Sequence, residues 1–494
     1  MPAGSAVGLV NYRAEVYRDQ LRNNRWWSYN GYLQDSYSRG RLRLNGGIRW
    51  DWQRSTYLGG CVPENVIRPD LLPAQCEDAT EVDPTTGKKL QSFNNLSPRL
   101  SATYDLFGNG KTSIHASGSY YYQTRITLAD SLGALFTVTR LTWGSNASSG
   151  LCTGSSCWTD ANLDGVVQAN ELTGTPSSSS TRFDITTGRL SPAGNIVDES
   201  AKIGRTREAI IGVQHELVPN LAVGVDYVYR KYDNGTATFT IGYQPGGPLG
   251  PLSAIYTGPQ FYTDPVTGTT APYYIICATC VRPSGLGSIT VTRASYENYN
   301  GLILTANKRF SDRWQLNSSL TIQDNPNFDP LESLTGGNPT GLEFSNGVST
   351  IAKYLFKLNG SYALPWGITA SANVNINQGG TRTMTVNGPG TVAGSGGLTA
   401  SGAAAGNLTY NTLQFQPQDM VRFAPSRLVD AGVHKTFNFS GGKYRVKVMG
   451  DAFNITNSDR VSAYSSGNLS LATSSNVSNI LPPRVFRIGA QVFF

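Results

Sequence analysis

The residues best equipped for chemistry lie in one short run, Asp160-Ala-Asn162-Leu-Asp164-Gly165-Val166-Val167-Gln168-Ala-Asn-Glu171. The run fits the calcium-loop pattern D-x-[DN]-x-[DN]-G-x5-E at every required position. Asp160, Asn162 and Asp164 offer hard oxygens, Gly165 permits the sharp turn, and the Val166 carbonyl adds a ligand. Glu171 would close the shell through both carboxylate oxygens. The flanks, Cys152 to Thr159 and Leu172 to Ser180, carry no helical pattern. The expectation is therefore an isolated calcium loop within a long segment, 125–198, and not a full EF-hand. The plainer alternative is a polar turn that holds no ion.

The six cysteines fall into three close pairs: Cys61 and Cys76, Cys152 and Cys157, Cys277 and Cys280. Each pair sits among Gly, Pro, Ser and Thr, so local disulfides that staple exported loops are the simplest reading. Cys277-Ala-Thr-Cys280 could instead be half of a zinc site. No second CxxC and no nearby histidine supports that. Catalysis finds little footing either. His115, His215 and His434 are expected on separate strands as lumen or turn residues, and no G-x-S-x-G, H-E-x-x-H or phosphate-loop motif occurs. The glycine-rich stretch Gly388–Gly406 lacks lysine and reads as a surface loop.

These groups need a scaffold, and composition narrows it. Charged residues make up 15% of the chain, against roughly 25% in a typical soluble protein. With 54 Gly and 25 Tyr in 494 residues, the chain resembles neither a disordered segment nor a helix bundle. No run of 18 apolar residues offers a membrane-spanning helix. A net charge of +7 without a Lys/Arg cluster gives no sign of nucleic-acid binding. Met1-Pro2-Ala3-Gly4-Ser5 lacks a basic start followed by an apolar stretch, so no secretory signal is read there.

Period-2 alternation dominates the whole length. In 221–230, Leu221, Val223, Val225, Tyr227 and Tyr229 oppose Asp226 and Arg230. In 368–377, Ile368, Ala370, Ala372, Val374 and Ile376 oppose Thr369, Ser371, Asn373, Asn375 and Asn377. The segments 42–52, 314–323 and 443–452 alternate in the same way. About fourteen strands of roughly 11–18 residues are expected, whereas ordinary strands run ~5–6. Such lengths cross the hydrocarbon layer, which takes ~9–11 tilted residues. Aromatics gather near strand ends, as at Trp26-Trp27, Trp50 with Trp52, Tyr120 with Tyr122 and Tyr227 with Tyr229.

Short turns alternate with long loops. Tight turns are predicted at Ser38-Arg39-Gly40, Gly108-Asn109-Gly110, Val218-Pro219-Asn220, Ser311-Asp312-Arg313, Pro365-Trp366-Gly367 and Ser440-Gly441-Gly442. Asn109-Gly110 is a strong signal for a two-residue hairpin. The long segments are 58–96, 125–198, 233–287, 326–349, 379–422 and 459–483. That asymmetry belongs to bacterial outer-membrane barrels, with the long loops outside the cell. The fold class is thus all-β, a transmembrane antiparallel barrel spanning 1–494, in contact with outer-membrane lipid. Its first strand is expected near 6–17, with Val10, Tyr12, Ala14 and Val16 on one face, and an even strand count is consistent with that. The short connection near 19–25 then falls, unusually, on the long-loop side.

Arg484-Val-Phe-Arg-Ile-Gly-Ala-Gln-Val-Phe-Phe494 ends in an aromatic, with Phe486, Ile488, Ala490, Val492 and Phe494 on one face. This resembles the C-terminal signal by which outer-membrane barrels are recognised for assembly. Other segments resemble TonB-dependent receptors, especially the Oar-like group. They are Tyr32-Leu-Gln-Asp-Ser-Tyr37, then Leu42-Arg-Leu-Asn-Gly-Gly-Ile-Arg-Trp-Asp51, Leu96-Ser-Pro-Arg-Leu-Ser-Ala-Thr-Tyr104 and Asp451-Ala-Phe-Asn-Ile-Thr-Asn457.

The resemblance implies a Gram-negative outer membrane, uptake of a bulky nutrient from an unknown extracellular substrate pool, and no enzymatic role. It also implies that residues 1–494 are the later part of a 22-stranded barrel. The signal, the plug and the first strands would lie outside them, and TonB would be reached only through those missing parts. A passive porin-like channel and a surface adhesion or structural barrel are the alternatives that the polar lumen and the stapled loops leave open.

Overall fold

The computed structural model describes residues 13–494 apart from 79–91, 124–134, 136–138, 145–155, 160, 163, 180–182, 191–194, 199–200, 278–287, 336–338, 393–407 and 440–443. One 14-stranded antiparallel sheet organises them. Its long strands begin with β1 (Asn24–Arg39), β2 (Leu42–Tyr57), β3 (Ser92–Asp105), β4 (Thr112–Tyr122), β5 (Arg205–Val218) and β6 (Leu221–Asp233). They continue with β7 (Tyr296–Ser311), β8 (Trp314–Asp324), β9 (Tyr354–Leu364), β10 (Ile368–Asn377), β11 (Ser426–Phe439), β12 (Tyr444–Phe453) and β13 (Val485–Phe493). Each pairs with its neighbour in this order, and the short strand Asn327–Phe328 pairs beside β7. Among the described residues, β1 and β13 each have one neighbour only, and both run from the loop end to the turn end.

Alternation sorts the two faces. Ile114, Val213, Val225, Leu304, Leu320 and Phe356 stand in one continuous cross-strand row. That face is apolar and open: Leu100 is 64%, Ile211 57% and Ile488 88% exposed. Apolar side chains left this bare across a whole sheet require lipid as their neighbour. Rings mark both margins of the band, with Tyr29, Trp50 and Tyr227 toward the loop end and Tyr104, Phe310, Tyr362 and Trp366 toward the turn end.

Short turns close one end. Asp312-Arg313 forms a two-residue turn with φ of 50° and 71°, and Ser311 faces Trp314 across it. Both central residues with positive φ give the twist that a hairpin of this kind needs. The Asn109-Gly110 expectation is corrected: the connection from β3 to β4 is longer than a two-residue hairpin. Asp105 organises it, its carboxylate accepting the Gly108 and Gly110 amides at 3.0 and 2.8 Å. Side-chain capping of this sort replaces the turn that the dipeptide alone suggests. The turn expected at 440–442 lies outside the described residues.

The hydrophobic cores lie at the other end, among the loops. Ala14, Val16, Leu72, Leu141 and Trp143 form one cluster, and Ala271, Val386, Tyr410 and Leu413 another. This corrects the expected first strand. Ala14–Tyr17 pairs with Arg140–Trp143 in a small loop sheet and not with the barrel sheet. Its alternation is real, but Ala14 and Val16 face a loop core and not lipid. The short stretch near 19–25 is accordingly an internal link of the loop end. Among the described residues, 13 long strands and the short Asn327–Phe328 then make up the 14-stranded sheet, in keeping with the expected number of about fourteen. Residues 1–12 lie outside the described set.

Candidate functional site

The face opposite the apolar rows is polar, and several of its charges are paired within the wall. Arg49 Nη2 donates to Asp51 Oδ1 at 2.7 Å. Arg230 donates to Glu208 across β5 and β6 at 2.5 Å. Arg487 donates to Asp451 across β12 and β13 at 2.7 Å. His115 and Asp226 are two strands apart, yet His115 Nε2 lies 2.6 Å from Asp226 Oδ1. They meet because the residue between them in register is Gly212. A Cβ there would collide with the Asp226 oxygen and sit 2.7 Å from His115 Nε2.

Of the three histidines, His115 joins this bridge. His215 Nδ1 lies 2.7 Å from Thr112 Oγ1, and His434 faces Thr369 and Met449 in register. Among the described residues, no nucleophile hydrogen-bonds to the His115–Asp226 pair. The wall also carries a cavity of about 360 Å³ over β8 to β12. Across its floor, Asn317, Asn359, Asn373 and Asp430 face one another in register.

The outer rim is built by loops that lock together. Cys61 and Cys76 face each other across a small hairpin and are joined by a disulfide. Cys157 and Cys277 each take part in a disulfide of their own, while Cys152 and Cys280 lie outside the described residues. Gln75 reaches across to accept the Leu190 amide at 3.0 Å and donate to the Leu190 carbonyl at 2.9 Å. The hairpin Tyr256–Thr263/Thr270–Ile276 packs on a second, Thr385–Val392/Leu408–Gln414. Burial, together with a Glu343 carboxylate that accepts its hydroxyl, pushes the Tyr274 phenol up to about 12.

Of the calcium-type run, Asp160 lies outside the described residues. Gly165 turns the chain with φ 71°. Asp164 accepts the Val166 amide at 2.7 Å and the Gln168 and Asn162 side-chain amides at 2.9 Å each. Glu171 is only 4% exposed. It accepts from the Ala161 amide at 2.9 Å and from the Trp158 indole and the Gln168 amide at 3.3 Å. Among the described residues, no three His, Cys, Asp or Glu side chains gather as a metal centre.

On β13, the residues read as an assembly signal line the apolar face: Phe486 is 71% and Val492 58% exposed, Ala490 is also exposed, and Phe494 follows at 98%. A lipid-facing sheet with a self-paired polar inner face and long loops at one end defines a wall of a transmembrane β-barrel. The chain belongs to the outer membrane beta barrel domain family, whose model matches residues 3–375. It is a protein of the Gram-negative outer membrane. No curated protein matches it.

Among solved structures, it is similar to the outer membrane transporter YddB from Escherichia coli at 11% identity and TM-score 0.44, covering 95% of this chain and 54% of that one. The FrpB iron transporter from Neisseria meningitidis (F3-3 variant) matches at 12% and TM-score 0.42, covering 95% and 46%. BauA, the ferric preacinetobactin receptor from Acinetobacter baumannii, matches at 10% and TM-score 0.42, covering 95% and 43%. The chain thus spans about half the length of the structures it matches.

Proposed function

We propose that this chain forms barrel wall of a nutrient transporter of the TonB-dependent, Oar-like kind, working with TonB through parts beyond these strands. The observation that carries the reading is the pairing of a polar, internally ion-paired lumen wall with loops packed into an outer rim. A rim with its own buried clusters gives a fixed surface on which a bulky extracellular solute can be held before passage. The terminal aromatic strand supports recognition by the barrel-assembly machinery. Deleting the gene in its native cell is expected to abolish uptake of a solute too large for general porins. Dissipating the proton-motive force should reproduce the loss. Uptake that scales linearly with external concentration and ignores the proton-motive force would replace this reading with a passive channel.

The 160–171 loop takes calcium in this reading. Glu171 supports it as a buried carboxylate whose hydrogen-bond donors are all neutral, an arrangement that a cation would favour. Calorimetry of the folded chain is expected to show one calcium site that Asp164→Ala removes, with EDTA lowering the protease resistance of the rim. Equal heats from the variant and the parent would refute it.

A further inference from the structure

We infer that the cavity over β8 to β12 is a binding site for a neutral, polyhydroxylated chain, an oligosaccharide. This rests on the transport reading and names its substrate class. The first observation is an uninterrupted row. Asn307, Asn317, Asn359 and Asn373 face one another in register across four strands, and Asp430 of β11 continues the row. Beside it runs a second row of Gln315, Ser361 and Ser371, leading through Gly432 to Asp451. Strands lie ~4.8 Å apart, so the first row spans roughly 20 Å.

The second observation is how these groups are used. Elsewhere the lumen wall pairs several of its charges, and here the two carboxylates are already engaged. Asp451 holds Arg487, and Asp430 accepts the Asn454 amide at 2.9 Å. Asn317 and Asn359 hydrogen-bond to nothing else among the described residues, and their side chains face the cavity. Asn373 donates to Asp430 and Ser371 to the Gly432 carbonyl, each at 3.3 Å, so among the described residues the groups left for a ligand are the amides of Gln315, Asn317 and Asn359 and the Ser361 hydroxyl.

Chemistry selects the ligand. No lysine or arginine lines the cavity, so an anion finds no counter-charge there. Phe453 is its only large apolar lining residue, so a hydrophobic solute gains little by burial. Carboxamides both donate and accept. They match a partner whose groups also do both, which describes alcohol hydroxyls. A row of such groups at strand spacing suits an extended chain better than a compact solute.

The test is calorimetry of the purified full chain in detergent micelles against maltohexaose, cellohexaose, an anionic oligogalacturonate and a neutral hexapeptide. At least one neutral hexasaccharide should bind, and Asn359→Leu or Asn373→Leu should weaken it at least tenfold, while Asn359→Gln retains most of it. Heat-modifiable electrophoretic mobility verifies that each variant is folded. Failure of both neutral sugars to bind overturns the inference, as does unchanged binding in both leucine variants. Preference for the oligogalacturonate overturns it too, and binding of the peptide alone would assign the row to a polypeptide occupant. Sugar binding without chain-dependent uptake would leave the site standing and remove the transport reading. Uptake of another solute without sugar binding would do the reverse.

Discussion

Val225→Arg is expected to destabilise the folded chain in lipid vesicles by about 2–4 kcal/mol, the cost of a cation on the lipid face near the bilayer centre. Val225 lies within the apolar row between Val213 and Leu304 and is 46% exposed. In water that exposure would tolerate arginine easily. In hydrocarbon the guanidinium has no water and no acceptor within reach. Thr305, next to Leu304 on β7, points to the other face and provides the control. Thr305→Arg places the same charge in the lumen and should stay within about 0.5 kcal/mol of the parent, as for an ordinary surface substitution. Urea midpoints for the two variants measure the contrast. Equal losses would mean that the sheet has been assigned the wrong faces.

Gly212→Val should cost about 1–3 kcal/mol, the usual range for overfilling a packed position. Most of that loss should vanish when Asp226 is alanine. The reason is the three-residue stack in register: His115 on β4, Gly212 on β5 and Asp226 on β6. Any side chain at the centre occupies the space where the outer two meet. Once Asp226 is truncated, the added bulk fills a gap, and loss of glycine's unfolded-state freedom becomes a benefit. The cycle thus predicts strong coupling between residues 212 and 226, read from urea midpoints of the four proteins. Additive effects would show that the bridge does not depend on the glycine.

Much of this was legible in the chain. Alternation in 221–230 and 368–377 identified two faces because the side-chain period of a strand is 2, and burial of either face leaves the same imprint. That same blindness misplaced Ala14 and Val16, whose apolar face meets Trp143 and Leu141 and not lipid. The amide row was only half visible. Asn373, Asn375 and Asn377 alternate in plain view, but the alignment of Asn373 with Asn317 and Asn359 is set by the register of two strand pairings. Gly212 gave no signal either, since its role depends on two residues about 100 positions before and 14 after it in the sequence. Turn chemistry was read well where the dipeptide acts alone, as at Asp312-Arg313. It was misread where a preceding carboxylate takes over, as at Asp105.

The odd number of long strands among the described residues also bears on stoichiometry. β1 and β13 point the same way, so joining them directly would make a parallel seam in an otherwise antiparallel wall. Copies inserted in the same orientation have edges that all point that way. Joining two, three or more copies edge to edge therefore multiplies parallel seams and never yields an antiparallel one. Unpaired backbone groups in lipid are costly enough that some closure is required. An antiparallel closure takes an odd number of additional strands, of which the first and the last both rise from the turn end to the loop end. Among the described strands, self-association alone therefore gives no ring that is antiparallel throughout.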